Sequence, residues 1–355
     1  MSSNNVLIFA PRDEPEELLK PLYEQGVTLT RGNPDWQWVK ADHEDEFIAA
    51  LRDSVGTMGS MVRCCPISRR IMESAQRLRI VAKYTVGVDD VDLEAATDLG
   101  ILVCHAPTEA NCYGVAETTM TFILAMLKKV QERDAAVRAG RWREPVLATT
   151  FLGARVSEGT PGITIGIVGL GRIAQRVAQL LAPWRIRLIA YDPYAHPSAF
   201  QLANAQRVDY DTLLRESDVI SFHVTLTKET LFMYGEKEIE KTKKGATIIN
   251  TSRGKVVHEE PLARFIESGH LKGAALDVFE TEPLPMDSPL RKLGDKVLLS
   301  PHAASFNRGG ELRPGMIWAI QSMLTAMRGE VPDNVYNKEV IPRWRERFGG
   351  ASLID

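Results

Sequence analysis

ITIGIVGLGRIAQRVAQLLAPWRIRLIAYD, residues 163–192, decides how the rest of the chain is read. An apolar run from Ile163 to Val168 breaks at Gly169-Leu170-Gly171-Arg172-Ile173-Ala174. A helical pattern follows, with Ile173, Val177, Leu180 and Leu181 on one face, and a second apolar run, Ile186 to Tyr191, ends at Asp192. Strand, glycine turn, helix, strand and acid is the order of a dinucleotide-binding unit. Gly169 permits the tight turn, Gly171 lets the backbone approach a pyrophosphate, and Ala174 lets helix and strand pack closely. The first-turn amides, at Arg172 and Ile173, face the phosphates, where the helix dipole favours negative charge. Asp192 stands where a carboxylate meets ribose hydroxyls and repels a 2′-phosphate. No Arg or Lys follows it in Pro193-Tyr194-Ala195-His196, so the expected cofactor is NAD rather than NADP.

Working outward, 355 residues are ample for two cores. A net charge of −3 and a pI near 6.2 argue against nucleic acid or an anionic membrane as partner. An anionic substrate must then be captured by local charge. Cys64, Cys65, Cys104 and Cys112 have no metal-ligand spacing; they are read as reduced thiols of a cytoplasmic protein, with no metal site. The N-terminus lacks a basic region and its apolar run is too short for a signal sequence, and no stretch approaches a membrane span.

On the amino-terminal side, strand-like stretches (Val6–Ala10, Met61–Cys64, Arg79–Tyr84, Ile101–His105) alternate with helical ones (Pro15–Gln25, Ser68–Ala75), as in a parallel α/β layer. An apolar helix is expected from about Ala110 to Arg138, and another from about Gly310 to Arg328. On the carboxyl side of Asp192, strands are expected at Asp218–Val224, Thr247–Ser252, Gly273–Val278 and Val297–Pro301. The fold class is therefore α/β, with two flavodoxin- or Rossmann-like domains built on parallel sheets. Residues 110–310 form the nucleotide-binding domain, inserted into a substrate domain of residues 1–109 and 311–355.

Three polar residues fall at the carboxyl ends of the later strands, where ligands of open α/β sheets bind. Arg253 follows Asn250-Thr251-Ser252, Glu282 closes Asp277-Val278-Phe279-Glu280-Thr281, and His302 follows Ser300-Pro301. They make a complete set for hydride transfer at a 2-oxo or 2-hydroxy acid. A guanidinium holds carboxylate and carbonyl oxygens in a planar fork. An imidazole gives a proton to a carbonyl or takes one from an alcohol, and a carboxylate orients the ring.

These motifs, in this order over roughly residues 55–325, resemble the D-isomer-specific 2-hydroxyacid dehydrogenases, the group that includes phosphoglycerate dehydrogenase and the glyoxylate and hydroxypyruvate reductases. The resemblance implies an NAD-dependent oxidoreductase interconverting a small (R)-2-hydroxy acid and its 2-oxo acid. It implies Arg253 as substrate ligand, His302 as acid/base and Glu282 as its partner. It also implies Asp277 as the residue holding the nicotinamide carboxamide, with Thr251 assisting through its backbone. Val86-Gly87-Val88-Asp89 looks like the family's substrate loop, in which Val86 and Gly87 would offer N–H groups to a carboxylate. A homodimer is expected on the same ground. His223 either lines the adenine side or is a packed strand residue. Phe306 and Arg308 are bulkier than is common after the histidine, and Thr225 stands where a proline is frequent. Formate-type relatives carry a glutamine in place of Glu282, and phosphite-type ones a lysine in place of Val86. A nucleotide-sensing corepressor scaffold is a further alternative, disfavoured by the intact Arg253, Glu282 and His302.

Overall fold

The computed structural model describes residues 4–11, 14–37, 42–307 and 312–355. Two parallel sheets organise the chain, and their inner strands are short, apolar and largely buried on both faces, as expected where helices cover each side. The edge strands Thr28–Arg31 and Gln206–Arg207 are instead polar and largely exposed. The strands are β1 (Asn5–Ile8), β2 (Thr28–Arg31), β3 (Ser54–Gly59), β4 (Ile80–Lys83), β5 (Leu102–Cys104), β6 (Thr164–Val168), β7 (Arg187–Tyr191), β8 (Gln206–Arg207), β9 (Val219–Phe222), β10 (Thr247–Asn250), β11 (Gly273–Leu276) and β12 (Val297–Leu299). The first five form one sheet in the order β2-β1-β3-β4-β5. The others form a second, β12-β11-β10-β9-β6-β7-β8. The parallel α/β class read from the sequence is the observed one.

The chain divides into two compact units, residues 1–111 with 308–355, and residues 112–307. In the first, the C-terminal segment is held by the buried Arg79. Its guanidinium donates to the Ala351 carbonyl (2.6 Å) and lies 5.0 Å from the Phe348 ring centroid. Trp344, fully buried on the helix Ile341–Phe348, donates its indole N–H to the Arg79 carbonyl at 2.9 Å. Trp36 stacks on Phe47 with ring centroids 4.7 Å apart. Trp38 and Arg308 lie outside the described residues.

Several boundaries differ from the expected ones. The strand expected at Met61–Cys64 is β3, earlier in the chain, and residues 61–64 are irregular. Its two glycines concealed it. A Cβ on Gly56 would lie 2.3 Å from Met323 Sδ, and one on Gly59 would lie 2.6 Å from Phe9. They are strand residues because their neighbours press against the backbone. The helix expected over Ala110–Arg138 is two helices, Glu109–Leu127 and Val130–Arg138, broken at Lys129, whose φ of 50° is left-handed. The later long helix is Arg313–Met327. Among the described residues, no helix is long and apolar enough to cross a membrane.

Candidate functional site

In the seven-stranded sheet the strand order reverses at β6, whose neighbours are β7 and β9. Ligands of such sheets bind outside the carboxyl ends at this point. The glycine turn is fastened there: Gly169 N–H donates to the Tyr191 carbonyl (2.9 Å) and His223 N–H to the Val168 carbonyl (2.8 Å). Gly169 has φ +86°, and a Cβ on it would meet the His223 carbonyl at 3.0 Å, so both conformation and space require glycine. Gly171 differs. A Cβ there would meet nothing within 4 Å, and its N–H has no acceptor among the described residues. No side chain caps the helix Arg172–Leu181 that it opens, while Ala174 is fully buried. Open space before an uncapped helix N-terminus fits a dinucleotide pyrophosphate.

Asp192 ends β7, and its carboxylate is more committed than its sequence position suggests. Oδ2 accepts the Leu170 N–H (2.7 Å), and Oδ1 accepts those of Tyr194 (2.8 Å) and Ala195 (2.9 Å). A carboxylate has about four acceptor positions, so roughly one, on Oδ2, remains. His223 is partly covered, and its ring Nε2 meets Ser221 Oγ at 2.9 Å. Burial pushes its pKa down to about 4, so the ring is neutral at pH 7 and adds no charge beside the glycine turn.

The second cluster occupies three adjacent strands. Asn250 pairs with Leu276, and Leu276 with Leu299, so the segments after β10, β11 and β12 leave the sheet side by side. Buried Asn250 ties off the first: its Oδ1 accepts the Ser252 N–H (3.0 Å) and hydroxyl (2.8 Å), and its Nδ2 donates to the Arg253 carbonyl (2.9 Å). Arg253 is half-buried, its Nη1 donating to the Ser252 carbonyl at 2.7 Å. The Thr251 hydroxyl meets that of Thr119 at 2.8 Å.

Asp277, expected to hold the nicotinamide carboxamide, has its carboxylate turned into its own protein. It is 1% exposed and accepts the Ser300 hydroxyl (2.5 Å) and the N–H groups of Ala303 and Ala304 (both 2.9 Å). Its carbonyl accepts the His302 N–H at 2.8 Å. The Ser300–Ala304 loop thus wraps around one aspartate, which forces His302 into left-handed backbone at φ 53°. Sequence reasoning missed this role. An aspartate leaving a strand, with small residues around the histidine of the next strand, was the available signal.

His302 Nδ1 lies 2.8 Å from Glu282 Oε2, while Glu282 Oε1 accepts the Phe279 N–H at 3.1 Å. An ionised carboxylate only accepts, so Nδ1 carries the hydrogen in this pair and the opposite ring nitrogen, Nε2, is presented for chemistry. The Glu282–Pro283 peptide is cis. The Glu282 loop is secured by two reciprocal bonds of 2.6 Å, Glu280 N–H to Glu259 Oε1 and Glu259 N–H to Glu280 Oε1. Burial, and then the charges of Glu280 and Glu282, push the Glu259 carboxyl up to about 7.

A measurable pH effect follows. The folded-state value exceeds the ordinary 4.5, so the stability this group contributes is fully present below about pH 4.5 and lost as the pH rises through 7. Glutamine keeps the acceptor for Glu280 N–H and removes the charge. Glu259→Gln is expected to stabilise the protein by about 1–2 kcal/mol at pH 8, discounted for partial exposure, and by little at pH 5. Urea unfolding at the two pH values checks this; an equal change at both would reject it.

In the other unit, Val86 and Gly87 follow β4. The Val86 carbonyl accepts from His105 Nδ1 (3.1 Å) and the Gly87 carbonyl from the Thr85 hydroxyl (2.9 Å). Both carbonyls are engaged, and the two N–H groups have no acceptor among the described residues. Asp90 holds the loop's far side, accepting the Val62 N–H (2.9 Å) and pairing with the buried Lys83.

Comparison with known proteins identifies the family. The profile of the D-isomer specific 2-hydroxyacid dehydrogenase, NAD binding domain, matches residues 120–304. A glyoxylate reductase of Thermofilum pendens is 35% identical over 94% of this chain and 95% of its own length. A D-3-phosphoglycerate dehydrogenase of Mycobacterium leprae is 35% identical over 93% of this chain, but only 61% of that protein. The crystal structure of a glyoxylate reductase from Paecilomyes thermophila has the same fold, with a TM-score of 0.80 at 24% identity over 95% of this chain and 100% of its own. With a nucleotide turn, a histidine–glutamate pair and an arginine on one sheet edge, and this likeness over nearly its whole length, the chain belongs to the D-isomer specific 2-hydroxyacid dehydrogenases and is an NAD-dependent oxidoreductase of that family.

Proposed function

We propose that the protein interconverts a small 2-oxo acid and its (R)-2-hydroxy acid, with His302 as the acid/base. The observation that carries this is the 2.8 Å His302–Glu282 contact on the strand end beside those of Asp277 and Arg253. Gly169, Gly171, Arg172 and Ile173 would hold the pyrophosphate of NADH, Asp192 one ribose hydroxyl, and His223 and Thr251 would line the same nucleotide site, and the nucleotide, when bound, would supply the hydride. Asp277 acts by setting the His302 loop. Nε2 of His302 donates its proton to the oxygen that becomes the hydroxyl, and in the reverse direction takes it back. Arg253 pairs with the substrate carboxylate through its guanidinium fork, and the free amides of Val86 and Gly87 add uncharged donors.

In this reading residues 110–310 serve the nucleotide and residues 1–109 with 311–355 serve the substrate. The names of the relatives favour a substrate of the glyoxylate class. Glu282 speaks against formate chemistry, where glutamine is found. Four free thiols suit a reducing cytoplasm. The exposed Trp142 (73%), Phe151 (65%) and Val156 (88%) suit burial against a second copy of the chain.

The test is NADH oxidation across a panel of 2-oxo acids (glyoxylate, hydroxypyruvate, pyruvate, phenylglyoxylate, 3-phosphohydroxypyruvate), on protein whose mass has been read by light scattering. Turnover of at least one small 2-oxo acid by a dimer is expected. Tight NADH binding with no turnover of any would replace the enzymatic reading by the sensing one, and a monomer would remove the dimer.

A further inference from the structure

We propose that His105 is a positioning residue for substrate binding: its ring sets the aim of the Gly87 N–H, one of the amides assigned above to the substrate carboxylate. The inference rests on that assignment. A trans peptide is planar, so its C=O and the N–H of the next residue point in opposite directions. Fixing a carbonyl therefore fixes the aim of the following amide. Three successive carbonyls of this loop are fixed, each by a different donor. The Thr85 carbonyl accepts the Ala106 N–H (2.8 Å), the Val86 carbonyl accepts from His105 Nδ1 (3.1 Å), and the Gly87 carbonyl accepts the Thr85 hydroxyl (2.9 Å). The N–H groups of Val86, Gly87 and Val88 are the opposite ends of those peptides, and none has an acceptor among the described residues. Of the three donors, the His105 imidazole is the side chain brought in from another strand end, that of β5.

The ring is itself held. A carbonyl only accepts, so Nδ1 carries the hydrogen of the bond to Val86. Asn334 grips the His105 backbone from both directions: its carbonyl accepts the His105 N–H (3.2 Å), and its Nδ2 donates to the His105 carbonyl (2.6 Å). Its Oδ1 in turn accepts the Ser322 hydroxyl at 2.7 Å. Tyr336, whose N–H donates to the Val103 carbonyl (2.7 Å), packs edge-on against the imidazole, with ring centroids 5.2 Å apart and planes at 81°. A ring anchored at its backbone and against an aromatic neighbour has little freedom to leave the Val86 carbonyl. The Gly87 amide is thus aimed before any ligand arrives, which lowers the ordering cost of binding. Without the bond the Val86–Gly87 peptide is free to rotate. Its N–H would then be lost to the substrate carboxylate in ground and transition states alike, so the penalty belongs to KM rather than kcat.

Three substitutions test this. The asparagine Nδ2 is as many bonds from the backbone as the imidazole Nδ1, the glutamine amide nitrogen lies one bond farther out, and leucine has no donor. With saturating NADH and glyoxylate as substrate, His105→Leu and His105→Gln are each expected to raise KM about tenfold or more with kcat within about threefold of wild type. His105→Asn should keep KM within about threefold of wild type, because it keeps the donor. Hydrogen exchange of residues 85–88, read by mass spectrometry on the NADH complex with and without oxalate, separates this proposal from the assignment beneath it. Oxalate is expected to slow exchange there in the wild type and in His105→Asn, but not in His105→Leu. No protection in the wild type would overturn the assignment of the loop amides to the carboxylate. Protection that is equal in the wild type and in His105→Leu would leave that assignment and overturn the role of His105. KM values that track the urea midpoints of the three variants, rather than the presence of a donor at the Nδ1 position, would also overturn it.

Discussion

His302→Ala is expected to lower kcat/KM for the 2-oxo acid by about 10²–10⁴-fold, the usual contribution of a positioned general acid. The binding constant for NADH should change less than twofold. The ring is held from two directions: Glu282 Oε2 fixes Nδ1 at 2.8 Å, and Asp277 fixes the backbone through the His302 N–H. Alanine removes only the proton carrier, so the loss should fall on kcat. Arg253→Ala is expected to cost a comparable factor with more of it in KM, since an ionic ligand to the substrate is lost in ground and transition states alike. Glu282→Gln provides an internal check. A glutamine can offer its oxygen either to His302 Nδ1 or to the Phe279 N–H, now bound by Oε2 and Oε1 of the glutamate, but not to both. Its rate should fall less than that of His302→Ala and its pH profile should move. His302→Ala turning over within tenfold of wild type would remove the acid/base assignment, and an unmoved Glu282→Gln profile would remove the pairing.

What the chain discloses by itself divides along physical lines. The glycine turn was legible because backbone geometry restricts residue choice at its first position: a φ of +86° and the nearby His223 carbonyl leave little alternative to glycine at 169. Arg253, Glu282 and His302 were legible because each follows an apolar run long enough to be a strand. The roles of Asp192, Asp277 and Glu259 were not, because they depend on which backbone N–H groups turn toward each carboxylate. Composition at a strand end does not encode that; the path of the following loop does. An aspartate there reads equally as a ligand group or as a loop organiser, and three N–H donors make Asp192 a loop organiser beside its proposed ribose contact. Strand β3 was misplaced for a different reason. Its glycines answer to Met323 and Phe9, distant in sequence, so local propensity pointed past the strand to an apolar stretch that is loop.

The largest structural loss is expected from the smallest change near the site, Gly254→Ala. An added Cβ would sit 1.9 Å from both the carbon and the oxygen of the Phe279 carbonyl, and 2.6 Å from Glu280 N. Those atoms are backbone, so no rotamer relieves the overlap, and one segment has to move by more than an ångström to regain contact distance. Neither is free to do so. Asn250 clamps Ser252 and Arg253 on one side. On the other, the Phe279 N–H is bound to Glu282 and the Glu280 N–H to Glu259. Overpacking of this kind costs about 1–3 kcal/mol or more. Displacing a reacting group by about 1 Å can cost 10²-fold in rate. Gly254→Ala should therefore lower the urea midpoint and reduce kcat/KM at least a hundredfold, because Arg253 and Glu282 flank the clash and both must shift. Gly245→Ala is the control. It meets nothing within 4 Å but has a φ of +82°, so it should cost only the left-handed strain of about 1–2 kcal/mol and leave the rate alone. Gly254→Ala matching the control in both rate and stability would mean that the Arg253 and Glu282 segments can slide past each other. The site would then owe its geometry to something other than this contact.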